Sequence, residues 1–308
     1  MSDKLDFKSG MEFAYGVPRE LAPGIVRIVA NNPSPYTFKG TNSYLVGQTT
    51  LALVDPGPDD PAHLAAILKA AGDRPITHIL LTHTHRDHFD GLASASRAIG
   101  AETVGFGAYQ LASQVADRPG PGGEGSRTER NWRPDRILRH DEIIRGADWA
   151  LRAIHTPGHT PDHLSFSVEI ERSNRKVVLT GDHIMAWNTS VIAPPEGRLG
   201  DYMQSLETML AIDAEVAFPG HGGQFAEPQR MAKAYLVHRK MRDAAILECI
   251  RGGVDDIDGI VSQVYRGLDT KLIPAAALSV LAHVEFLVER GLVHASSPLS
   301  RASVLKSR

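Results

Sequence analysis

A chain of 308 residues, 42% hydrophobic and 22% charged, has the composition of an ordinary globular protein and enough length to bury a substantial core. Thirty-three Lys and Arg against 36 Asp and Glu leave a formal charge of −3, which excludes a global electrostatic pull toward nucleic acid or an anionic membrane. The one cysteine, Cys249, excludes an internal disulfide and a cysteine-rich zinc finger, so any metal must be held by His, Asp or Glu.

The chain opens on Met1-Ser2-Asp3-Lys4-Leu5-Asp6, which has no apolar leader core, and no uncharged run in the sequence reaches membrane-spanning length. The expectation is a cytoplasmic protein without membrane contact. Apolar or β-branched runs at 24–30, 43–48 and 50–55, separated by Pro, Gly and Asn, predict three consecutive strands, the third stopped by Asp55-Pro56-Gly57. Leu64, Ile67 and Leu68 recur at helical spacing and predict a helix over 60–71. A strand buried on both faces follows at 77–81, then a helix at 91–99, a short strand at 102–104 and a helix at 107–115. This alternation predicts a layered architecture. Residues 117–135, with Pro119-Gly120-Pro121-Gly122-Gly123, predict a long exposed loop, either filler or a substrate flap. Runs at 142–145, 149–155, 164–170 and 176–181 predict an antiparallel meander, followed by a helix at 202–212 and a last strand at 216–218.

After Pro228 the strand patterns stop. Helices are expected at 228–250, 256–267 and 274–290, the third with a core-facing stripe through Leu278, Leu281, Val284 and Leu287 and with Gly291 at its end. Runs at 292–295 and 303–306 flank a Ser/Pro/Arg segment and predict a β-hairpin. Three helices and a hairpin form a winged-helix-like unit. The expected division is a catalytic domain over 1–225 and a small, mostly helical domain over 226–308.

Four metal donors fall within six residues in Thr82-His83-Thr84-His85-Arg86-Asp87-His88, directly after the 77–81 strand. His83 and His85 are two apart and would point about 200° from one another on a helix, whereas a loop leaving a strand can aim both at one ion. This differs from the helical H-E-x-x-H pattern. Three later strand ends supply further donors: Thr156-Pro157-Gly158-His159-Thr160, Thr180-Gly181-Asp182-His183 and Pro219-Gly220-His221-Gly222. In each, Gly or Pro-Gly adjoins the donor and lets the backbone turn sharply.

From about residue 24 to 225 this pattern resembles the metallo-β-lactamase superfamily, which implies an α+β fold of the αββα sandwich type. The resemblance implies that His83, His85 and His159 bind one zinc, that Asp87, His88 and His221 bind a second, and that Asp182 bridges them. Asp55 would hold the metal loop without touching metal, and His163 would stand behind the ligands. Two Zn2+ are expected, with Mn2+ or Fe2+ as alternatives. The flavodiiron branch usually has Glu where this chain has His85, which argues against a redox role. The bridging carboxylate resembles the glyoxalase II, lactonase and phosphodiesterase branches more than the class B β-lactamases, so antibiotic hydrolysis is not the expected native reaction. Asn31-Asn32-Pro33, Gly40-Thr41-Asn42-Ser43-Tyr44 and the terminal helices resemble the β-lactamase-like proteins with a C-terminal winged helix, a subgroup with an endoribonuclease member.

Two Lewis-acidic ions can hold a water between them as a bridging hydroxide and aim it at carbon or phosphorus. Asp87 or Asp182 would take the proton, and His183 would serve as an acid or oxyanion donor, or simply bond backbone. The leading expectation is a dinuclear zinc hydrolase acting on a phosphodiester such as single-stranded RNA. The subgroup resemblance alone places RNA ahead; the 228–251 helix, which carries Arg230, Lys233, Arg239, Lys240, Arg242 and Arg251, either steers an anion toward the cleft or is a solvated face or interdomain contact. The alternative is a thioesterase, lactonase or other small-ester hydrolase. A third reading, a metal-dependent regulatory or nucleic-acid-binding protein, is disfavoured because Arg290 is the one Lys or Arg on the third helix. No sequence-specific DNA partner is expected, the winged helix is read as a wall or lid of the site or a dimer surface, and a homodimer stands open.

Overall fold

The computed structural model describes residues 5, 7–113, 115 and 129–308. Seven strands, β1 (Arg19–Ala22), β2 (Ile25–Val29), β3 (Asn42–Val46), β4 (Leu51–Val54), β5 (Ile76–Leu80), β6 (Glu102–Gly105) and β7 (Arg136–Ile137), lie in sequence order in one sheet. Six more, β8 (Ile143–Arg145), β9 (Trp149–His155), β10 (Leu164–Ile170), β11 (Val177–Gly181), β12 (Val216–Pro219) and β13 (Phe225–Ala226), form the second. Tyr44, Val54, Leu80, Leu151, Phe166, Leu179 and Phe218 fill the space between the sheets. Helices α1 (Pro61–Ala71) and α3 (Leu92–Ile99) cover the outer face of the first sheet through Ile67, Ala71, Leu92 and Ala95. The outer face of the second sheet is covered by α4 (Leu199–Leu210) and by the first half of α5 (Pro228–Arg251). The expected αββα sandwich is the observed one.

The strand pairs β4/β5 and β11/β12 are parallel. Their carboxyl ends therefore emerge at one edge of the sandwich, where open α/β sheets gather ligands. The turn after β9 reaches the same edge, because Leu164 at the start of β10 pairs with His155 and its backbone N–H donates to Thr82 O.

Beyond the sandwich, α6 (Ile257–Val264), a short 3-10 turn at Thr270–Leu272, α7 (Ile273–Glu289) and the hairpin β14 (Val293–Ala295)/β15 (Leu305–Ser307) make the winged-helix unit. The segment Thr270–Glu289 is long and apolar enough to cross a membrane, with a mean hydropathy of 1.6. Val280, Leu281, Val284 and Leu287 of this segment are buried in the unit's own core. Helix α5 belongs to two cores: Ala232, Tyr235 and Leu236 pack with α4, while Ile246 and Ile250 pack with α6 and α7.

Two local expectations fail. Residues 107–113 form no helix. Gly107 has φ +86°, Ser113 Oγ donates to Glu285 on α7 at 2.6 Å, and Val115 bridges to Leu299, so tertiary anchors draw this run out against its local pattern. The metal loop, expected as loop throughout, contains one helical turn, α2 (Arg86–Phe89). Most of the expected 117–135 loop lies outside the described residues.

Candidate metal centre

All seven expected donors converge at this edge, in two groups: His83, His85, His159 and Asp182, and Asp87, His88 and His221. His83 Nε2 and His85 Nδ1 are 3.0 Å apart, and His159 Nε2 lies 2.9 Å from the same His85 nitrogen. In the second group His221 Nε2 is 3.1 Å from Asp87 Oδ2 and 3.3 Å from His88 Nε2. Asp182 stands between the groups: Oδ2 is 3.4 Å from His159 Nε2 and 3.3 Å from His221 Nε2, and Oδ1 is 3.5 Å from His88 Nε2.

The outer ring nitrogens decide which lone pairs face inward. His159 Nδ1 meets the Val191 carbonyl at 2.6 Å, and a carbonyl only accepts, so the proton sits on Nδ1 and Nε2 is bare. His221 Nδ1 meets Gly40 O at 3.3 Å with the same result. Thr82 Oγ1 gives its hydrogen to Asp55 Oδ2 at 2.7 Å and so accepts from His83 Nδ1 at 3.0 Å, which leaves His83 Nε2 bare. His85 turns Nε2 toward the Glu196 carboxylate at 3.5 Å and presents Nδ1. His88 Nδ1 donates to Asp55 Oδ2 at 2.8 Å and presents Nε2. In the first group, bare lone pairs only 2.9–3.0 Å apart repel unless a metal ion, or in its absence a proton on His85 Nδ1, lies among them. Donors on a tetrahedral zinc of 2.0–2.1 Å bond length stand about 3.3–3.4 Å apart, close to the spacings seen. Asp182 Oδ1, buried without a hydrogen-bond partner, points the same way. The donor set fits divalent metal.

The supporting residues explain why this sequence folds so. Asp55, 2% exposed and with φ +55°, accepts from Thr82 N at 2.8 Å as well as from Thr82 Oγ1 and His88. It thus pins both ends of the metal loop from the end of β4. Thr84, between the first two histidines, donates to the buried Asp162 at 2.8 Å. His163 Nε2 accepts from the Asp182 backbone N–H at 3.0 Å, and its Nδ1 meets Thr156 Oγ1 at 2.8 Å, so it positions the carboxylate from behind. Asn42 Nδ2 donates to Pro219 O and Gly222 O at 2.8 and 2.9 Å, and Tyr44 Oη to Pro219 O at 2.7 Å. The Gly40 to Tyr44 motif therefore clamps the turn that carries His221. At Gly158, with φ +126°, a Cβ would lie 2.3 Å from Tyr202 backbone, and at Gly220 it would lie 2.5 Å from Asp182 Oδ1, so both positions need glycine.

His183 takes a different place from the one expected. Its ring is fully buried against Tyr202 and His163, at centroid distances of 5.1 and 6.2 Å, and does not line the cavity over the donors. Burial holds its pKa down to about 3, so an acid role has no support in this position. The backbone, not the ring, is engaged: the His183 carbonyl accepts from Tyr202 Oη and Ser190 Oγ.

Without metal, the carboxylates decide which rings carry protons. Burial lowers His83 well below its ordinary value and His159 to about 4. Burial also opposes the charge on His221, but Asp182 and Asp87 outweigh it and lift the ring to about 9. This proton contributes to the stability of the metal-free protein below the ordinary histidine value and is lost as pH rises through about 9. A metal must displace it. Burial likewise opposes the charge on His88, but Asp87, Asp55 and Asp182 outweigh it and raise the ring well above the ordinary histidine value. Zinc uptake at pH 7 is therefore expected to release protons, and the release to fall as pH rises through about 9, where the His221 share is lost. Calorimetric titration in buffers of different ionisation enthalpy checks this, and a buffer-independent heat at pH 7 would show the ring already neutral.

Residues 36–221 match the family model of the metallo-beta-lactamase superfamily. This chain belongs to that superfamily. Residues 257–298 match the beta-lactamase associated winged helix domain. The chain is 32% identical over 289 residues to the "Beta-lactamase-like protein 2 homolog" of Drosophila melanogaster, covering 90% of this chain and 91% of that one. It is 26% identical over 234 residues to an atrochrysone carboxyl ACP thioesterase of Cryptosporiopsis sp. (strain 8999), covering 75% of this chain and 64% of the relative. A metallo-beta-lactamase family protein of Thermus thermophilus shares its fold, with a TM-score of 0.73 and 24% identity over 94% of this chain and all of that one. As a superfamily member the chain is a hydrolase; the superfamily typically binds metal ions, and this chain presents a His/Asp cluster able to hold one. Sequence reading misses Glu196, Thr84, Asp162 and Asn42 as supports of the centre, because nothing in their own neighbourhoods announces which donor each one braces.

Proposed function

We propose that this metallo-β-lactamase superfamily protein hydrolyses an ester or thioester of an apolar acyl group at a dinuclear zinc centre. The observation that carries this reading is the cavity over the donors, about 490 Å³. Tyr36, Pro58, Met185, Val191, Ala193 and Leu278 give it apolar walls. Apart from the donors, the charged groups lining it among the described residues are Arg86, Asp90 and Glu196, and Arg86 Nε is 2.9 Å from Asp90. A polyanionic RNA strand would meet one engaged cation and two extra carboxylates. The basic helix α5 gives no help. Arg239 is buried, Arg242 lies over Tyr265, Arg230 pairs with Glu227, and no basic residue of α5 lines the cavity. The phosphodiester expectation thus yields to the acyl alternative, which the thioesterase named among the relatives also favours.

In this reading His83, His85, His159 and Asp182 hold one ion, and Asp87, His88, His221 and Asp182 the other. Bound zinc would supply Lewis acidity and a water of lowered pKa. Asp87, the more exposed of the two carboxylates at 26% against 9%, lines the cavity, and its carboxylate is the group read as taking a proton from attacking water and returning it to the leaving thiol or alcohol. The unit over 226–308 is assigned as the cavity's far wall, through Ala275 and Leu278 of α7.

The test is a parallel assay of acyl thioesters from acetyl to decanoyl, a lactone, bis-p-nitrophenyl phosphate and labelled single-stranded RNA. Acyl hydrolysis is expected to dominate; RNA cleavage without it would sink the reading. Leu278→Trp is expected to leave acetyl thioester turnover nearly intact while lowering kcat/KM for long chains by roughly 10-fold or more.

A further inference from the structure

Segment 185–198 does three things at the site. Met185, Val191, Ala193 and Glu196 line the cavity, the Val191 carbonyl fixes the tautomer of His159, and Glu196 faces the outer nitrogen of His85. Among the described residues it is not part of either sheet or of any helix before Leu199. Part of its shape is held from α5 and α7. Tyr235 Oη of α5 donates to Met185 O at 2.7 Å and also reaches Asn188 O. Arg239, one turn further along α5 and 4% exposed, donates from Nη2 to Ser190 O at 2.6 Å, with its guanidinium over the Tyr202 ring at 5.4 Å. At the far end Arg198 pairs with Glu289 of α7, while its backbone N–H donates to Gly158 O, next to His159.

We propose that Tyr235 and Arg239 of α5 and Glu289 of α7 are positioning residues for the metal centre, which set His159 and His85 through segment 185–198. Helix α5, shared between the sandwich and the winged-helix unit, and α7 of that unit are then part of the metal site's frame. The physical reason is a chain of directed bonds. A buried guanidinium fixes the Ser190 carbonyl, and the next residue's carbonyl fixes His159. A ring nitrogen pushed out of place is a weaker ligand, and loss of such outer partners lowers metal affinity by roughly 10–100-fold. The inference rests on the metal-centre reading above.

The experiment measures zinc affinity by chelator competition and the visible spectrum of the cobalt-substituted protein, neither of which requires a substrate. Arg239→Met is expected to weaken one of two metal equivalents by roughly 10–100-fold and to alter the cobalt bands, with Arg239→Lys recovering part of both because an ammonium can still reach Ser190 O. Ile246→Ala hollows the C-terminal core on the same helix and is expected to lower stability without changing either readout in the folded protein. Wild-type affinity and an unchanged cobalt spectrum in Arg239→Met overturn the proposal. If that variant does not fold, Tyr235→Phe, which deletes one hydroxyl, carries the same test with an expected loss at the lower end of the range. Wild-type protein that takes up no metal would instead defeat the metal-centre reading, and this inference with it.

Discussion

Asp182→Asn lowers kcat/KM by roughly 10³-fold or more, equivalent to about 4 kcal/mol of transition-state stabilisation, and brings metal content down from two equivalents toward one. The substitution keeps the side chain's size, so the packing around a residue 6% exposed changes little. What it removes is charge at the point shared by both donor groups. Among the described residues, Asp182 is the one carboxylate within 3.5 Å of ring nitrogens from both, through His159, His88 and His221. Its surroundings hold its carboxyl well below the ordinary range: burial opposes ionisation, but His221 and His88 outweigh it. An amide can neither bridge two cations nor offset those rings. Metal analysis and steady-state kinetics on the same preparation check the result. A variant with two tightly held equivalents and near-native turnover would mean that Asp182 is a structural acid and that the two groups work independently.

Asp55→Ala costs about 3–5 kcal/mol of stability, measured in chelator so that metal does not enter the comparison. Asp55 does not line the cavity, yet it accepts three hydrogen bonds of 2.7–2.8 Å, from the Thr82 backbone, the Thr82 hydroxyl and the His88 ring. Truncation leaves all three donors buried without a partner, in a place too enclosed for bulk water. It also frees the His88 tautomer, so metal affinity is expected to fall together with the denaturation midpoint. Urea titration with and without zinc separates the two effects. An unchanged midpoint in chelator would show that the loop is held by β5 and α2 alone.

The sandwich and its donors are legible in the sequence because the donors sit at strand ends beside glycine or proline or in one dense cluster, and strand patterns are short-range. The 77–81 run and the donors from His83 to His88 announce their own geometry. The helices of the terminal unit are legible for a similar reason, since Leu278, Leu281, Val284 and Leu287 repeat at the helical period. Residues 107–113 mislead because their form is set by Glu285 and Leu299, far away in sequence. His183 adjoins Asp182, and adjacency suggests chemistry; the turn instead sends consecutive side chains in different directions, one to the donors and one to Tyr202. The basic residues of α5 count as positive charge in sequence, but burial of Arg239 and stacking of Arg242 convert them into packing groups.

Helix α5 runs 24 residues, about 36 Å at 1.5 Å per residue, and its two halves lie in different hydrophobic cores. A rigid rod shared in this way ties the folding of the two units together. Melting the terminal core frays the half of α5 that ends at Arg251, and fraying that climbs two or three turns past Ile246 reaches Arg239 and then Tyr235. Loss of order in the winged helix would thus travel along the backbone and arrive at the metal centre as a change in its wall. Chain breaks between 228 and 251 should therefore be far less tolerable than breaks in the exposed turn at 171–176, and the molecule is expected to unfold in one cooperative step despite its separate cores.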